Sequence, residues 1–415
     1  MIFRFLIIGM LFSYVLTMRR GGLMNNKIYD VLIIGGGIIG ASVAYYTAKT
    51  GLSVALLESN TVASGTSSKC DGNVLLIDKE PGFDSRMAIK SQALIKKLSH
   101  ELEMEFEFRH PGSIFLCADE DELEQGYDWV DRHNKENGKD KFFKKLTKED
   151  LRNDSKHFSD HLVGGIECTN DSTINPYMLA FSLINQARKY NFSLFEMTPV
   201  TDIQSVNHEE FKVMSNEKVF KAHKVINAAG VYSPHVGKLL DIEVPVLPRK
   251  GHILVSSRAE LMGSRKIQEF GYLMTKFGKE RRASKEMNDY GVALVHEATQ
   301  SQNFLIGSSR EFAGYDTNVN HKVIRLIAER AIEYFPAMKD MSFIRSYAGL
   351  RPWTPDSLPI ISETKVPGFY IAAGHEGDGI GLSAITGLWM SQMMTGKLAD
   401  DISPLSINRF KEAKV

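Results

Sequence analysis

The chain has 415 residues, 43% of them hydrophobic, with 50 lysines and arginines set against 50 aspartates and glutamates. That length buries a large core and divides naturally into two domains, and the even charge offers no bulk field to draw nucleic acid or an acidic partner. Cys70, Cys117 and Cys168 show neither disulfide nor metal-ligand spacing, which fits a reducing, cytoplasmic setting.

The first two dozen residues stand apart. Phe5 to Met18 is an apolar run between Arg4 and Arg19-Arg20. It is shorter than the roughly 20 residues of a spanning helix, and Arg19-Arg20-Gly-Gly supplies no small-residue cleavage site. Two readings stay open: an extension or upstream start outside the native fold, or a short membrane anchor that holds the remainder on the cytoplasmic side. The fold itself begins near Met24.

Val31 to Ile34 reads as a strand buried on both faces of a parallel sheet. It runs into Gly35-Gly36-Gly37-Ile-Ile-Gly40 and then into a helical stretch, Ala41 to Lys49. Strand, glycine turn and helix N-terminus form a dinucleotide-binding fingerprint. Gly35 allows the tight turn, Gly37 lets a pyrophosphate approach the backbone, and Gly40 lets the helix pack on the sheet. The first helical turn adds about half a positive charge. A second strand, Ser53 to Leu57, ends in Glu58, where the fingerprint expects an acid for a ribose hydroxyl. The polar loop from Thr61 to Asn73 follows as a candidate second wall of the site, and a helix is expected from about Asp84 to Leu102.

Glu105–Arg109 and Gly112–Cys117 read as strands, followed by a helix capped at Asp119. Lys135–Lys148 reads as a solvated loop leading to a Thr147-x-x-Asp150 helix start. A helix over Tyr177–Tyr190 then returns the chain to the sheet layer. Val213–Lys224 suggests a hairpin, and Lys224 to Gly230 a buried strand whose small end, Ala228-Ala229-Gly230, can approach a cofactor closely. From Glu243 to Ile344, strand-like segments at Val244–His252, Tyr272–Met274, Val292–His296 and Asn303–Gly307 precede a helix over Asn320–Tyr334. They suggest a mixed or antiparallel sheet roofing the cofactor. The last return carries Gly349-Leu-Arg351-Pro352-Trp-Thr354-Pro-Asp356, a strand Phe369–Ala373, the turn Gly374-His375-Glu-Gly-Asp378-Gly379-Ile380-Gly381, and a helix to about Met394.

The fold class expected is α/β: a Rossmann-like cofactor-binding domain with a discontinuous α+β substrate domain on a mixed or antiparallel sheet. The boundaries expected are 1–24 for the apolar extension, 25–104, 158–242 and 345–412 for the cofactor domain, and 105–157 and 243–344 for the substrate domain.

Four ordered motifs resemble the glycine/sarcosine oxidase branch of the D-amino-acid-oxidase superfamily. They are the glycine turn with Glu58, the Val225–Gly230 strand, Gly349-Leu-Arg-Pro with Thr354-Pro-Asp356, and Gly374-His375 through Thr386-Gly387. The resemblance spans about Lys27 to Lys397. It implies FAD, with Gly35, Gly36, Gly37 and Gly40 at the pyrophosphate and Glu58 at the adenosine ribose. Ser64, Thr66 and Ser67 would lie along the cofactor and Ala229 and Gly230 against it. Gly379 and Ile380 would set the last helix's N-terminus at the flavin edge that becomes anionic on reduction. Covalent members use a cysteine near that region, and none follows Cys168, so the FAD is expected to be non-covalent.

By the same resemblance Arg351 grips a substrate carboxylate, a task suited to a planar guanidinium; otherwise it belongs to a structural ion pair. Asp378 contacts the substrate amine or caps the last helix, and Tyr272 adds a hydroxyl to the carboxylate site or is core. His252, His296 and His375 are read as structural. Gly-His-Glu-Gly-Asp-Gly-Ile together with Gly307-Ser-Ser-Arg310-Glu311-Phe is more similar to the catalytic subunits of multisubunit dehydrogenases acting on hydroxyproline, proline, opines or glycine. The implied function is oxidation of the Cα–N bond of a small amino acid to an imine, with electrons passed to a partner subunit. The alternatives are an oxygen-using glycine or sarcosine oxidase, a non-catalytic flavin-carrying electron-transfer subunit, and an NAD-dependent dehydrogenase. The expected location is cytoplasmic, with membrane association if residues 1–20 act as an anchor.

Overall fold

The computed structural model describes residues 27–138, 141–207, 209–216, 218–259, 265–276 and 281–410. Two eight-stranded sheets organise them, with a two-stranded pair, Asn73–Val74 and Ser172–Thr173, beside them.

The first sheet is centred on Ile28–Ile34, which lies parallel to Val54–Leu57 on one side and to Lys218–Asn227 on the other. Phe192–Phe195 extends it past Val54–Leu57, and Phe369–Ala373 and Ile360–Glu363 extend it past Lys218–Asn227. Strand alternation divides the central residues between two cores. Val31 and Ile33 join the apolar cluster containing the helices Ile38–Ala48, Pro176–Ala187 and Ser383–Met394. Leu32 and Ile34 face the opposite cluster, with Phe211, Val213 and Val236. Both faces are therefore covered, as a parallel sheet requires.

The second sheet runs in the spatial order Phe343–Trp353, Leu247–Ser256, Phe304–Gly307, Val295–Ala298, Lys266–Glu269, Ser113–Cys117, Gly164–Cys168, Phe143–Thr147. All its pairs are antiparallel except Lys266–Glu269 with Ser113–Cys117. The helix His321–Tyr334 covers one face through Val323, Leu326 and Ile327. Gly164–Cys168 and all but the first two residues of Phe343–Trp353 fall within sequence segments assigned above to the cofactor domain, yet they pair with Ser113–Cys117 and Leu247–Ser256 of this sheet.

Several local expectations change. Tyr272–Met274 is not a strand; it lies in a short helix, Gly271–Lys276. Glu105–Arg109 forms no strand and contributes only a bridge from Arg109 to Thr173, with Glu107 at φ 56°. The charged stretch read as loop ends in a strand, Phe143–Thr147, because edge strands tolerate lysines on their solvent side. Its capping box is as expected: the Thr147 side chain accepts from the Asp150 N–H, and Asp150 accepts from the Thr147 N–H. The last helix begins at Ser383 rather than at Gly379–Ile380; a single turn over Glu376–Asp378 is followed by turn residues 379–382 before it.

The expectation of a cytoplasmic protein, membrane-associated if residues 1–20 act as an anchor, is withdrawn. Among the described residues no helix is long and apolar enough to cross a membrane, and the apolar run it rested on lies outside the described residues.

Candidate active site

The glycine turn sits where the central strand of the first sheet meets its helix. Gly35 has φ 109° and donates its N–H to the Leu57 carbonyl at 2.8 Å. A Cβ on Gly35 would press on the Ala228 carbonyl oxygen 2.6 Å away, and one on Gly40 would overlap the Gly35 carbonyl oxygen. The small end of the Lys218–Asn227 strand closes on this turn, with the Ala228 N–H donating to the Ile34 carbonyl at 2.9 Å. Asn227, fully buried, accepts from the Ala229 N–H at 3.2 Å and donates to the Ser233 carbonyl. Gly230 begins the next turn at φ 55°.

Glu58 ends the second strand against this turn. Its Oε2 accepts the Gly36 N–H at 2.6 Å and its Oε1 the Asn60 N–H at 2.8 Å. The following loop is tied down at three points. The Ala63 N–H donates to the Gly36 carbonyl at 2.9 Å, Ser67 Oγ accepts from the Ile38 N–H at 3.0 Å, and Thr66 Oγ1 donates to the Leu350 carbonyl at 2.7 Å. Ser64 lies at the start of this anchored turn, where its carbonyl accepts from Ser68 Oγ. The helix Ile38–Ala48 has no side-chain cap and no acidic residue in its first turn. Its leading N–H groups are free for an anion once Ile38 is served by Ser67. An uncapped helix end beside a glycine floor that no Cβ could share fits the pyrophosphate of a dinucleotide.

The opposite wall comes from the second sheet. Arg249 and Arg351 are register partners on adjacent strands, and Gly251 pairs with Gly349 two residues on. The Arg351 guanidinium lies against Gly251, where any Cβ would overlap it, and Gly377 flanks its stem. Arg351 Nη1 donates to the Ser309 carbonyl at 2.8 Å and Nη2 to Ser308 Oγ at 3.2 Å. Arg249 Nε donates to Glu376 Oε1 at 2.9 Å, with Nη2 on the same oxygen. Burial alone would raise the Glu376 carboxyl. The guanidinium groups of Arg249, Arg351 and Arg310 prevail and hold it far below the usual carboxylate range.

Tyr272, from the short helix, lines a small pocket with Asn73, Leu75, Gly377, Asp378 and Gly381. Arg310 stacks on its ring, with Cζ 4.3 Å from the centroid. Gly379 and Ile380 lie in the same turn; Gly379 packs on His375, and Ile380 is buried.

Asp378 is committed elsewhere. Lys79 Nζ donates to its Oδ1 at 2.8 Å and Lys276 Nζ to its Oδ2 at 3.1 Å, and both lysines also bind Asp78. Its carboxylate caps no helix, since the Ser383–Met394 helix has no side-chain cap. This four-charge cluster ties the Tyr272 helix to the Glu376–Asp378 turn. The three histidines are buried. His375 Nε2 bonds Thr386 Oγ1 at 3.0 Å, and His296 stacks beside Phe335 and Phe304. Burial lowers His252 to about 4 and both His296 and His375 to about 3.

Sequence reasoning gave no role to Arg249, Gly251, Lys79, Lys276, Arg310 or Glu376. The signals available were the charged run Pro248-Arg249-Lys250-Gly251-His252 inside a strand-like segment, where charge is out of place without partners, and the motifs Gly307-Ser-Ser-Arg310-Glu311 and Gly374-His375-Glu376-Gly377 that carry Arg310 and Glu376.

A glycine turn suited to a dinucleotide on one sheet, faced by an arginine-rich wall from a second, is the layout of a nucleotide-cofactor oxidoreductase. The family described as DAO, FAD dependent oxidoreductase, matches residues 30–393, and the chain belongs to it. It is an FAD-dependent oxidoreductase. Glycine oxidase of Geobacillus kaustophilus is 27% identical over 396 residues, covering 92% of this chain and 97% of that protein. Its crystal structure superposes with a TM-score of 0.81 over 92% of this chain and 98% of that one. Hydrogen cyanide synthase subunit HcnC of Pseudomonas protegens is 26% identical over 447 residues, covering 94% and 98%. The structure of L-proline dehydrogenase from P. horikoshii shares the fold, with a TM-score of 0.82, 22% identity and coverage of 93% and 98%.

Proposed function

We propose that this chain oxidises the Cα–N bond of a small amino acid to an imine, with a cyclic or N-substituted amino acid such as proline, hydroxyproline or sarcosine, or glycine itself, as substrate. The observation that carries the reading is a charge imbalance: Arg249, Arg310 and Arg351 surround one carboxylate, Glu376. A wall with more guanidinium groups than carboxylates is suited to a substrate that brings its own carboxylate.

FAD supplies the two-electron acceptor for the α-hydride. The chain's own groups do the rest. Gly35, Gly36, Gly37 and Gly40, with Glu58, Ser64, Thr66, Ser67, Ala229 and Gly230, hold the cofactor, without a covalent link. The Gly379-Ile380 turn leads into the last helix at the flavin's edge. The arginine wall, including Arg351, neutralises the carboxylate, and Tyr272 closes the pocket over it. No strong base is required, because an unprotonated amine gives up its α-hydride once it is positioned; His252, His296 and His375 stay neutral and enclosed.

We assign the electrons to a partner subunit rather than to dioxygen. The Gly-His-Glu-Gly-Asp-Gly-Ile turn supports this, as does the likeness to HcnC, itself a subunit. An anaerobic amino-acid screen that follows the flavin band near about 450 nm tests cofactor, reaction and substrate together. Bleaching by one class of amino acid is the expected outcome, and no bleaching by any sinks the reading. In air, dye reduction exceeding hydrogen peroxide formation is expected for a partner-coupled enzyme, and the reverse for an oxidase.

A further inference from the structure

The strand Lys266–Glu269 of the second sheet alternates between two surroundings. Ile267 packs in the outer cluster with Ile114, Leu294 and Ile306, under the helix His321–Tyr334. Lys266 and Gln268 face the other way, toward the cofactor side. Lys266 shows the direction: its Nζ donates to Asp71 Oδ2 at 3.0 Å, in the loop after Glu58, and to Glu297 Oε2 at 3.2 Å. The register partners of Gln268 are Val295 and Phe115, both in the inner apolar cluster with Leu75, Tyr272 and Ile380.

Gln268 is 1% exposed, and neither Oε1 nor Nε2 of its amide has a hydrogen-bond partner among the described residues. Its apolar register partners offer none. The polar groups nearest along this face are engaged: Lys266 with Asp71 and Glu297, and Glu297 with the Gly72 N–H at 3.0 and 3.2 Å. Asn73, which lines the small pocket with Tyr272, donates to the same Asp71 oxygen at 2.7 Å. Gln268 therefore stands two residues along the strand from a chain of bonds that reaches that pocket.

A buried amide with both halves unpaired is costly, and a ligand that pairs both removes the cost. The amide itself narrows the ligand, since Nε2 donates and Oε1 accepts. A carboxylate only accepts and an ammonium only donates, so each would leave one half unpaired. A hydroxyl does both. Among proline, hydroxyproline, sarcosine and glycine, only hydroxyproline brings one.

Register supplies the distance. The Arg351 guanidinium lies on Gly251, and its contacts with Ser308 and Ser309 leave three of its five N–H donors for a carboxylate. Gly251 and Gln268 stand three strands apart in the sheet order, about 14 Å across at ordinary strand spacing. Gly307, opposite Val295 on an intervening strand, adds no side chain to the gap. A glutamine side chain and two hydrogen bonds of about 3 Å leave room for one five-membered ring.

We infer that Gln268 is a specificity-determining residue whose amide pairs with a ring hydroxyl of the substrate, so that the substrate class is a hydroxylated cyclic amino acid whose carboxylate is held by Arg351. This rests on the amino-acid reading above and narrows its substrates to the hydroxylated ring.

The test uses the full FAD-loaded chain. Anaerobic flavin reduction and dye-coupled turnover are compared for each stereoisomer of 4-hydroxyproline and for proline of the same configuration at Cα. In the wild type, kcat/KM for the best hydroxyproline isomer should exceed that for the matching proline at least about a hundredfold. Gln268→Met, which keeps the length of the side chain, should bring the two within about threefold, chiefly by losing hydroxyproline, with FAD content unchanged. A wild type without the preference overturns the assignment. So does a Gln268→Met variant that slows both substrates by the same factor, the result expected of an amide that only packs or binds buried water.

Two probes without a Cα–N bond, 3-hydroxycyclopentanecarboxylate and cyclopentanecarboxylate, separate recognition from reaction. By calorimetry the wild type should bind one isomer of the hydroxylated probe about tenfold tighter than the plain one, and Gln268→Met should bind the two alike. If no amino acid bleaches the flavin while this preference still depends on Gln268, the proposed reaction fails and the assignment stands. If amino acids bleach the flavin and neither preference depends on Gln268, the assignment fails and the reaction stands.

Discussion

The two walls of the site solve opposite problems. The cradle on the first sheet withholds side chains: Gly35 and Gly40 leave room that any Cβ would fill, and the groups it would offer the cofactor are backbone N–H donors. The wall on the second sheet works by concentrating side chains, with Arg249, Arg310 and Arg351 brought around Glu376 from three strands or strand ends and one turn. Backbone recognition is built within about thirty residues, from Gly35 to Ser67. Charge recognition needs chain segments more than a hundred residues apart to be paired in register.

The comparison breaks first at Gly40. Gly40→Ala would put a Cβ onto the Gly35 carbonyl oxygen, a backbone atom that cannot swing aside. The strain, about 3 kcal/mol, falls on the turn proposed to hold the cofactor. The purified variant should lose most of its FAD, read as the ratio of flavin to protein absorbance. Gly65→Ala, where a Cβ meets nothing within 4 Å, should keep it. Equal FAD in both variants would remove the cradle from cofactor binding.

Gly251 is the corresponding glycine of the second wall, and it serves a side chain rather than a backbone turn. Gly251→Ala would displace the Arg351 guanidinium that rests on it. An on-the-order-of-tenfold rise in KM is expected, with FAD content unchanged, measured by steady-state kinetics with dye reduction. Loss of FAD together with the KM change would mean that the two walls are not separable.

How much was legible follows the same division. The strand–turn–helix at Val31 to Lys49 and the acid at Glu58 could be read directly, because period, glycine spacing and distance along the chain all act locally. Arg351 could be picked out only through its Gly-Leu-Arg-Pro setting. Its contacts with Ser308, Ser309 and Gly251 depend on strand register, which local pattern does not determine. Tyr272 was misread as a strand residue because Tyr-Leu-Met is equally at home in a short helix. Asp378 could be read as a cap or an amine ligand because Lys79 and Lys276, which claim it, lie 299 and 102 residues away.

The smallest expected effect concerns the histidines, which also differ between the two regions. His375, in the turn after the first sheet's last-added strand, is buried but bonded to Thr386. His296, in the second sheet, has no hydrogen-bond partner on either ring nitrogen among the described residues and stacks between Phe304 and Phe335. Burial lowers both to about 3, against about 6.5 in an unfolded chain. Between pH 6.5 and about 3 the unfolded chain therefore holds a proton at each that the folded chain does not. Stability falls with acidification across that window by about 1.4 kcal/mol per pH unit per histidine. Above pH 6.5 neither contributes a slope. His296→Phe keeps the ring in its aromatic sandwich, breaks no hydrogen bond and deletes one such proton. Relative to wild type it should be nearly neutral at pH 7.5 and about 2 kcal/mol stabilising at pH 5, read from denaturant midpoints at the two pH values. His375→Phe removes the same proton but leaves Thr386 without its partner, so it should lose about 1 kcal/mol at pH 7.5 before gaining at pH 5. An identical shift at both pH values for His296→Phe would mean that this ring binds its proton equally in the folded and unfolded chain, so that burial does not hold it neutral.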